Sequence, residues 1–109
     1  MFFKKSYHEI RWDERAKQTA TANMTLTIES IRPFKSSWFG TRNSDAAFDF
    51  VHNAMEVRGK VNNMEGISRD IHDVLFLVPE EEITSLKAGD SIMMWLSNIC
   101  YCIKFEKIQ

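Results

Sequence analysis

The chain has 109 residues, 44% of them hydrophobic and 27% charged, with thirteen aromatics and a formal net charge of −1, which suits one domain with its own core and excludes a disordered charged tail. No window approaches the roughly 20 apolar residues of a membrane span, and Met1-Phe2-Phe3-Lys4-Lys5 meets charge too early for an export signal, so a cytoplasmic protein without membrane association is expected. The charge is uneven: residues 1–42 hold eight Lys/Arg and four acids, residues 43–109 six and eleven, which offers two candidate surfaces if the fold keeps those portions apart.

Residues 7–12 read as a strand that pairs as a hairpin across the polar 13–17 turn, or else as the start of a short helix. Residues 19–28 form the clearest strand signal. Ala20, Ala22, Met24, Leu26 and Ile28 alternate there with Thr19, Thr21, Asn23, Thr25 and Thr27, the period of a half-buried strand.

The next segment, 32–42, interleaves Arg32, Lys35 and Arg42 with Phe34, Trp38 and Phe39 and contains no acid. Cations attract phosphates and aromatic faces stack on unpaired bases, so this composition fits a contact loop for single-stranded nucleic acid. The competing account turns the three aromatics inward to plug the end of the core and leaves the cations in solvent.

The spacing predicts an amphipathic helix over 45–58. Phe48, Phe50, Val51, Ala54, Met55 and Val57 gather on one half-turn, and Asp45, Asp49, His52, Asn53 and Glu56 on the other. Asn43 or Ser44 suits the N-cap and Gly59 the C′ position. Met55, Val57, Gly59 and Val61 also alternate, so a strand over 55–61 competes with the helix. Residues 60–72 read as a loop with one helical turn, interrupted at Gly66. Residues 74–78 are five apolar residues in a row, a strand that Pro79 ends. Pro79 and Glu80 to Glu82 suit a helix first turn with its exit at Gly89-Asp90.

The C-terminus reads as a hairpin turning at Ser97-Asn98, with Leu96 opposite Ile99 and Met94 opposite Tyr101. Its other face would then carry Met93, Trp95, Cys100, Cys102, Lys104 and Glu106. That face is apolar enough to need a cover, from the N-terminal segment or from a second copy of the chain through the Trp95 face.

The expected fold class is therefore α+β: a small antiparallel or mixed sheet of about five strands, with one principal amphipathic helix. The alternative is a small OB-like β-barrel, which requires residues 47–61 to be strand. Nucleotide-binding, nucleophile-elbow, zincin and C-x-x-C motifs are missing from the chain. Cys100 and Cys102 form a C-x-C pair without matching histidine spacing, so neither metal nor cofactor is expected.

A non-enzymatic protein-binding module, such as a small inhibitor, immunity or accessory protein, is the first functional expectation. Its contact surface would be the acidic arc Asp45, Asp49, His52 and Glu56, facing a basic partner. The alternative is a single-strand nucleic-acid-binding protein that uses Arg32, Phe34, Lys35, Trp38, Phe39 and Arg42.

Overall fold

The computed structural model describes residues 7–13, 19–34 and 54–108. They form six strands, β1 (His8–Trp12), β2 (Ala22–Pro33), β3 (Ala54–Glu65), β4 (Asp73–Pro79), β5 (Ser91–Ser97) and β6 (Tyr101–Lys107), and a single 3-10 turn, Glu80–Glu82. The sheet closes into a barrel in the order β1-β4-β3-β2-β5-β6. Alternation decides which side of each strand turns inward. Ala22, Met24, Leu26 and Ile28 of β2, Val74, Phe76 and Val78 of β4 and Ile92, Met94 and Leu96 of β5 are buried together with Ile10 and Val57. Asn23, Thr25 and Thr27, and likewise Met93 and Trp95, take the outer positions between them.

β2 pairs antiparallel with β3 on one side and with β5 on the other. β3 continues antiparallel to β4, and β5 turns back as a hairpin onto β6. Strands β2 to β6 thus follow an OB-like path: a three-stranded meander, a return to its first strand, and a closing hairpin. β1 fills the gap between β4 and β6 and runs parallel to both.

The α+β expectation is overturned, since the described residues contain a closed barrel and no α-helix. Residues 54–58, the last part of the predicted 45–58 helix, begin β3, while residues 45–53 lie outside the described residues. The helical period loses there because a strand in this position gains two ladders, with Val57 opposite both Ile31 and Phe76. A helix would satisfy only itself. Residues 60–65 continue β3 where a loop is predicted, and the predicted helix after Pro79 is reduced to the 3-10 turn. β1 is a strand, but it pairs with β4 and β6 instead of forming a hairpin with β2.

The last hairpin also has a different register. Its turn occupies residues 98–100, Leu96 lies opposite Cys102, and a bulge then sets Trp95 opposite Lys104 and Met94 opposite Phe105. Cys102 consequently points inward and is fully buried, away from the Trp95 face.

The core includes an aromatic series, with Phe105 edge-on to both Trp12 and Phe76 at centroid distances of 5.3 and 5.5 Å. Gly59 lies at a close approach of β3 to β2. A Cβ there would lie 2.9 Å from the Thr27 carbonyl oxygen, a backbone atom that cannot swing aside. Replacing Gly59 by Ala should therefore destabilise the barrel by about 1–3 kcal/mol, the usual range for forcing a methyl group into a packed site. A chemical-denaturation midpoint equal to that of the parent would show that the two strands separate more easily than this spacing implies.

Candidate functional site

β2 ends in exposed Arg32 and Pro33, and the Phe34 N–H donates to the Ala54 carbonyl at 2.9 Å. That bond joins the two ends of the 35–53 connector at the rim of the barrel. The connector links the first and second strands of the OB-like core. Lys35, Trp38, Phe39 and Arg42, and also Asp45, Asp49 and His52, lie in it and outside the described residues. Glu56 is the one member of the predicted acidic arc that is described, and Arg32 lies opposite it across β2 and β3. One residue from each predicted site therefore meets at the base of the connector. The helical spacing that grouped Glu56 with the other three does not hold for it, and its carboxylate accepts from Arg58 Nη2 at 3.0 Å and Nε at 3.1 Å.

Two outer faces flank this rim. On the first, the register lines up Glu56, Leu77 and Arg11 in one row and Arg58, Leu75 and Glu9 in the next, across β3, β4 and β1. Charges pair along each outer strand, with Arg11 Nε donating to Glu9 at 2.7 Å and Arg58 to Glu56. The Arg58 guanidinium also lies 5.0 Å from the centroid of the Tyr7 ring. Sequence reasoning missed Tyr7, Arg11 and Arg58. The available signal was the i, i+2 pairing in Glu9-x-Arg11 and Glu56-x-Arg58, which puts opposite charges on one side of a strand.

The second face belongs to β2, β5 and β6. Trp95 lies between Asn23 and Lys104, and Met93 between Thr25 and Glu106. The nearby turn holds Asn98 and Ile99 at φ of 47° and 55°, a backbone conformation that a β-branched residue rarely adopts. His8 Nε2 lies 2.7 Å from the Ile99 carbonyl oxygen, and the Asn98 N–H donates to Thr21 Oγ1 at 3.3 Å. These two bonds brace the turn against β1 and the approach to β2.

No protein-family model, curated protein or solved structure matches the chain. Among the described residues, no group of three His, Cys, Asp or Glu side chains is arranged to hold a metal ion, and no helix is long and apolar enough to cross a membrane.

The two thiols differ sharply. Cys100 is exposed at the turn, whereas burial pushes the Cys102 thiol up to about 12 and its S–H donates to the Lys104 carbonyl at 3.2 Å. The thiolate is the reactive form, so Cys102 is almost wholly unreactive at neutral pH. A thiol-exchange reagent at pH 8 should titrate one cysteine per native chain, the second only in denaturant, and none rapidly in Cys100→Ser. Two fast equivalents in the native parent would contradict the inward placement of Cys102.

Proposed function

We infer that the protein binds single-stranded nucleic acid through the β2–β3 connector and the barrel rim that anchors it. The observation that carries this reading is that the acid-free, cation- and aromatic-rich stretch 32–42 enters the connector between the first two strands of an OB-like core. OB barrels grip oligonucleotides with that connector and the neighbouring sheet face. Fold alone does not define function, so the weight rests on the residue types: three cations to neutralise phosphates and three aromatics to stack on unpaired bases. On the adjoining face Lys60 adds an exposed cation, while Arg11 and Arg58 are already paired with Glu9 and Glu56. Because the net charge is only −1, attraction for a polyanion must come from this local cluster and not from the molecule as a whole.

A second reading is a protein partner for the acids of the connector, favoured by the eleven acids against six basic residues after position 42. It relies on Asp45, Asp49 and His52, since Glu56 is already engaged by Arg58. Pull-down with and without nuclease separates the two classes of partner.

The direct test is fluorescence anisotropy with labelled 12-nucleotide single strands across a salt series. Affinity should fall as salt rises, and Arg32→Ala should reduce the slope of log K against log salt by about one phosphate contact. Trp38→Ala should cost roughly 1–3 kcal/mol of binding at an unchanged melting temperature. Absence of binding by the parent at low salt would remove this reading. A Trp38→Ala variant that melts earlier yet binds as the parent does would assign that aromatic to the core.

A further inference from the structure

The face of β2, β5 and β6 stands apart from the connector and is laid out by the register in rows. Asn23, Trp95 and Lys104 form one row, Thr25, Met93 and Glu106 the next, and Thr27 and Ser91 a third. Trp95 and Met93 are partly exposed in mid-sheet, although the same strand buries Ile92, Met94 and Leu96 completely. The group found over the indole is the Lys104 ammonium, 4.8 Å from the ring centroid. That ammonium is itself exposed and paired with Glu106 at 3.2 Å. The β2 side chains of this face are uncharged, with Asn23 Nδ2 donating to Glu65 at 3.2 Å and Thr27 Oγ1 accepting from Asn62 Nδ2 at 2.8 Å.

We propose that Trp95 is a stacking platform for an unpaired base, with Lys104 meeting the adjoining phosphate, and that the outer side of β2 is the track joining this platform to Arg32. The proposal rests on the single-strand reading above and adds a second contact region to it. Three features support it.

The first is the ring's setting. Trp95 is held on a central strand between cross-strand neighbours and is partly exposed, so no loop has to order to bring the ring into place. The second is the exchange a base would make. An exposed cation on an indole is weakly held, and the exposed Lys104–Glu106 pair is weak too, whereas a base stacked on tryptophan gains more than either. The ammonium displaced by the base then has a phosphate oxygen to meet, which offsets the repulsion from Glu106.

The third feature is continuity. Asn23, Thr25, Thr27, Ser30 and Arg32 take outer positions along β2, separated by inward Met24, Leu26, Ile28 and Ile31. A bulge at Glu29 keeps the sides in phase. At the ordinary rise of a strand this track is roughly 30 Å long. A strand of several nucleotides can span it, within the roughly 4–16 nucleotides that one OB barrel occupies. Hydroxyls and an amide along the way accept or donate without choosing a base, as sequence-tolerant binding requires.

The test uses the full chain and a labelled 12-nucleotide single strand. Trp95→Ala should weaken binding roughly five- to hundredfold with the salt slope unchanged, because stacking releases no counterions. Trp95→Phe should recover much of the loss, and the melting temperature of both variants should stay near the parent's. In case Trp95→Ala folds poorly, photo-crosslinking of the unaltered protein to a bromodeoxyuridine strand should yield an adduct on the peptide carrying Trp95. Parental affinity in Trp95→Ala, or adducts confined to residues 32–42, would overturn the platform while leaving the connector's role intact. A parent that binds no oligonucleotide would overturn both. A concentration-dependent dimer that Trp95→Ala converts to monomer would make this face a contact between copies of the chain instead.

Discussion

The barrel depends on one strand, β1, seated in parallel between β4 and β6. A sheet of β2 to β6 alone would end in two open edges, each presenting unpaired N–H and C=O groups. β1 satisfies both edges at once. Its Arg11 N–H donates to the Cys100 carbonyl and the Asp13 N–H to the Cys102 carbonyl, both at 2.9 Å, while its register with β4 runs from His8 to Arg11. Ile10, opposite Phe76, closes the core behind it with no exposure. Because the first strand bonds to the last, the closure joins residues about ninety positions apart, as His8 and Ile99 show. Such non-local pairing carries a loop-closure entropy that makes it intrinsically slow to form.

β2 contributes both to the core and to the outer surface of the closed barrel. Its inward set supplies four core residues, and its outward set borders the second face directly and the first through Arg32 and Glu56. Register shifts at Thr25/Leu26 and at Ile28/Ser30 bend the strand so that it can pair with β3 along its length and with β5 over its first half. Bulges of this sort increase local twist, which a small barrel needs in order to close. The shift at Ile28/Ser30, where Glu29 is the extra residue, keeps polar residues outside on both halves of the strand.

The two outer faces then differ in chemistry for a structural reason. On β3, β4 and β1, alternating Arg and Glu face their own neighbours along each strand, and the charge is largely settled within the protein. On β2, β5 and β6 the residues beside Trp95 are uncharged or loosely paired, so that face offers a ring and hydrogen bonds and little field. Between them lies the rim, where the connector leaves and returns. In the single-strand reading proposed above, Arg32 at the rim would meet a phosphate and Trp95 a base, with the outer side of β2 between them.

The sequence by itself determined the strands whose alternation is local. The alternation within the 19–28 run, whose strand begins at Ala22 and continues to Pro33, the apolar block before Pro79 and the existence of the final hairpin are legible because a period of two needs no knowledge of the partner. It also marked the 32–42 composition, which is a property of residue type. Only the tertiary structure decided the state of 54–58, where helical and strand periods overlap on the same apolar residues. Ladders to β2 and β4, formed with residues more than fifteen positions away, outweigh a pattern of hydrogen bonds four residues long. It likewise decided the place of β1, whose partners are the fourth and sixth strands, and the inward turn of Cys102, which follows from a three-residue turn and one bulge. Convergence of Arg32 with Glu56, and of Asn23 with Trp95 and Lys104, is set by register between distant strands. A one-residue slip would have sent each side chain to the other side of the sheet, so no local pattern could have announced it.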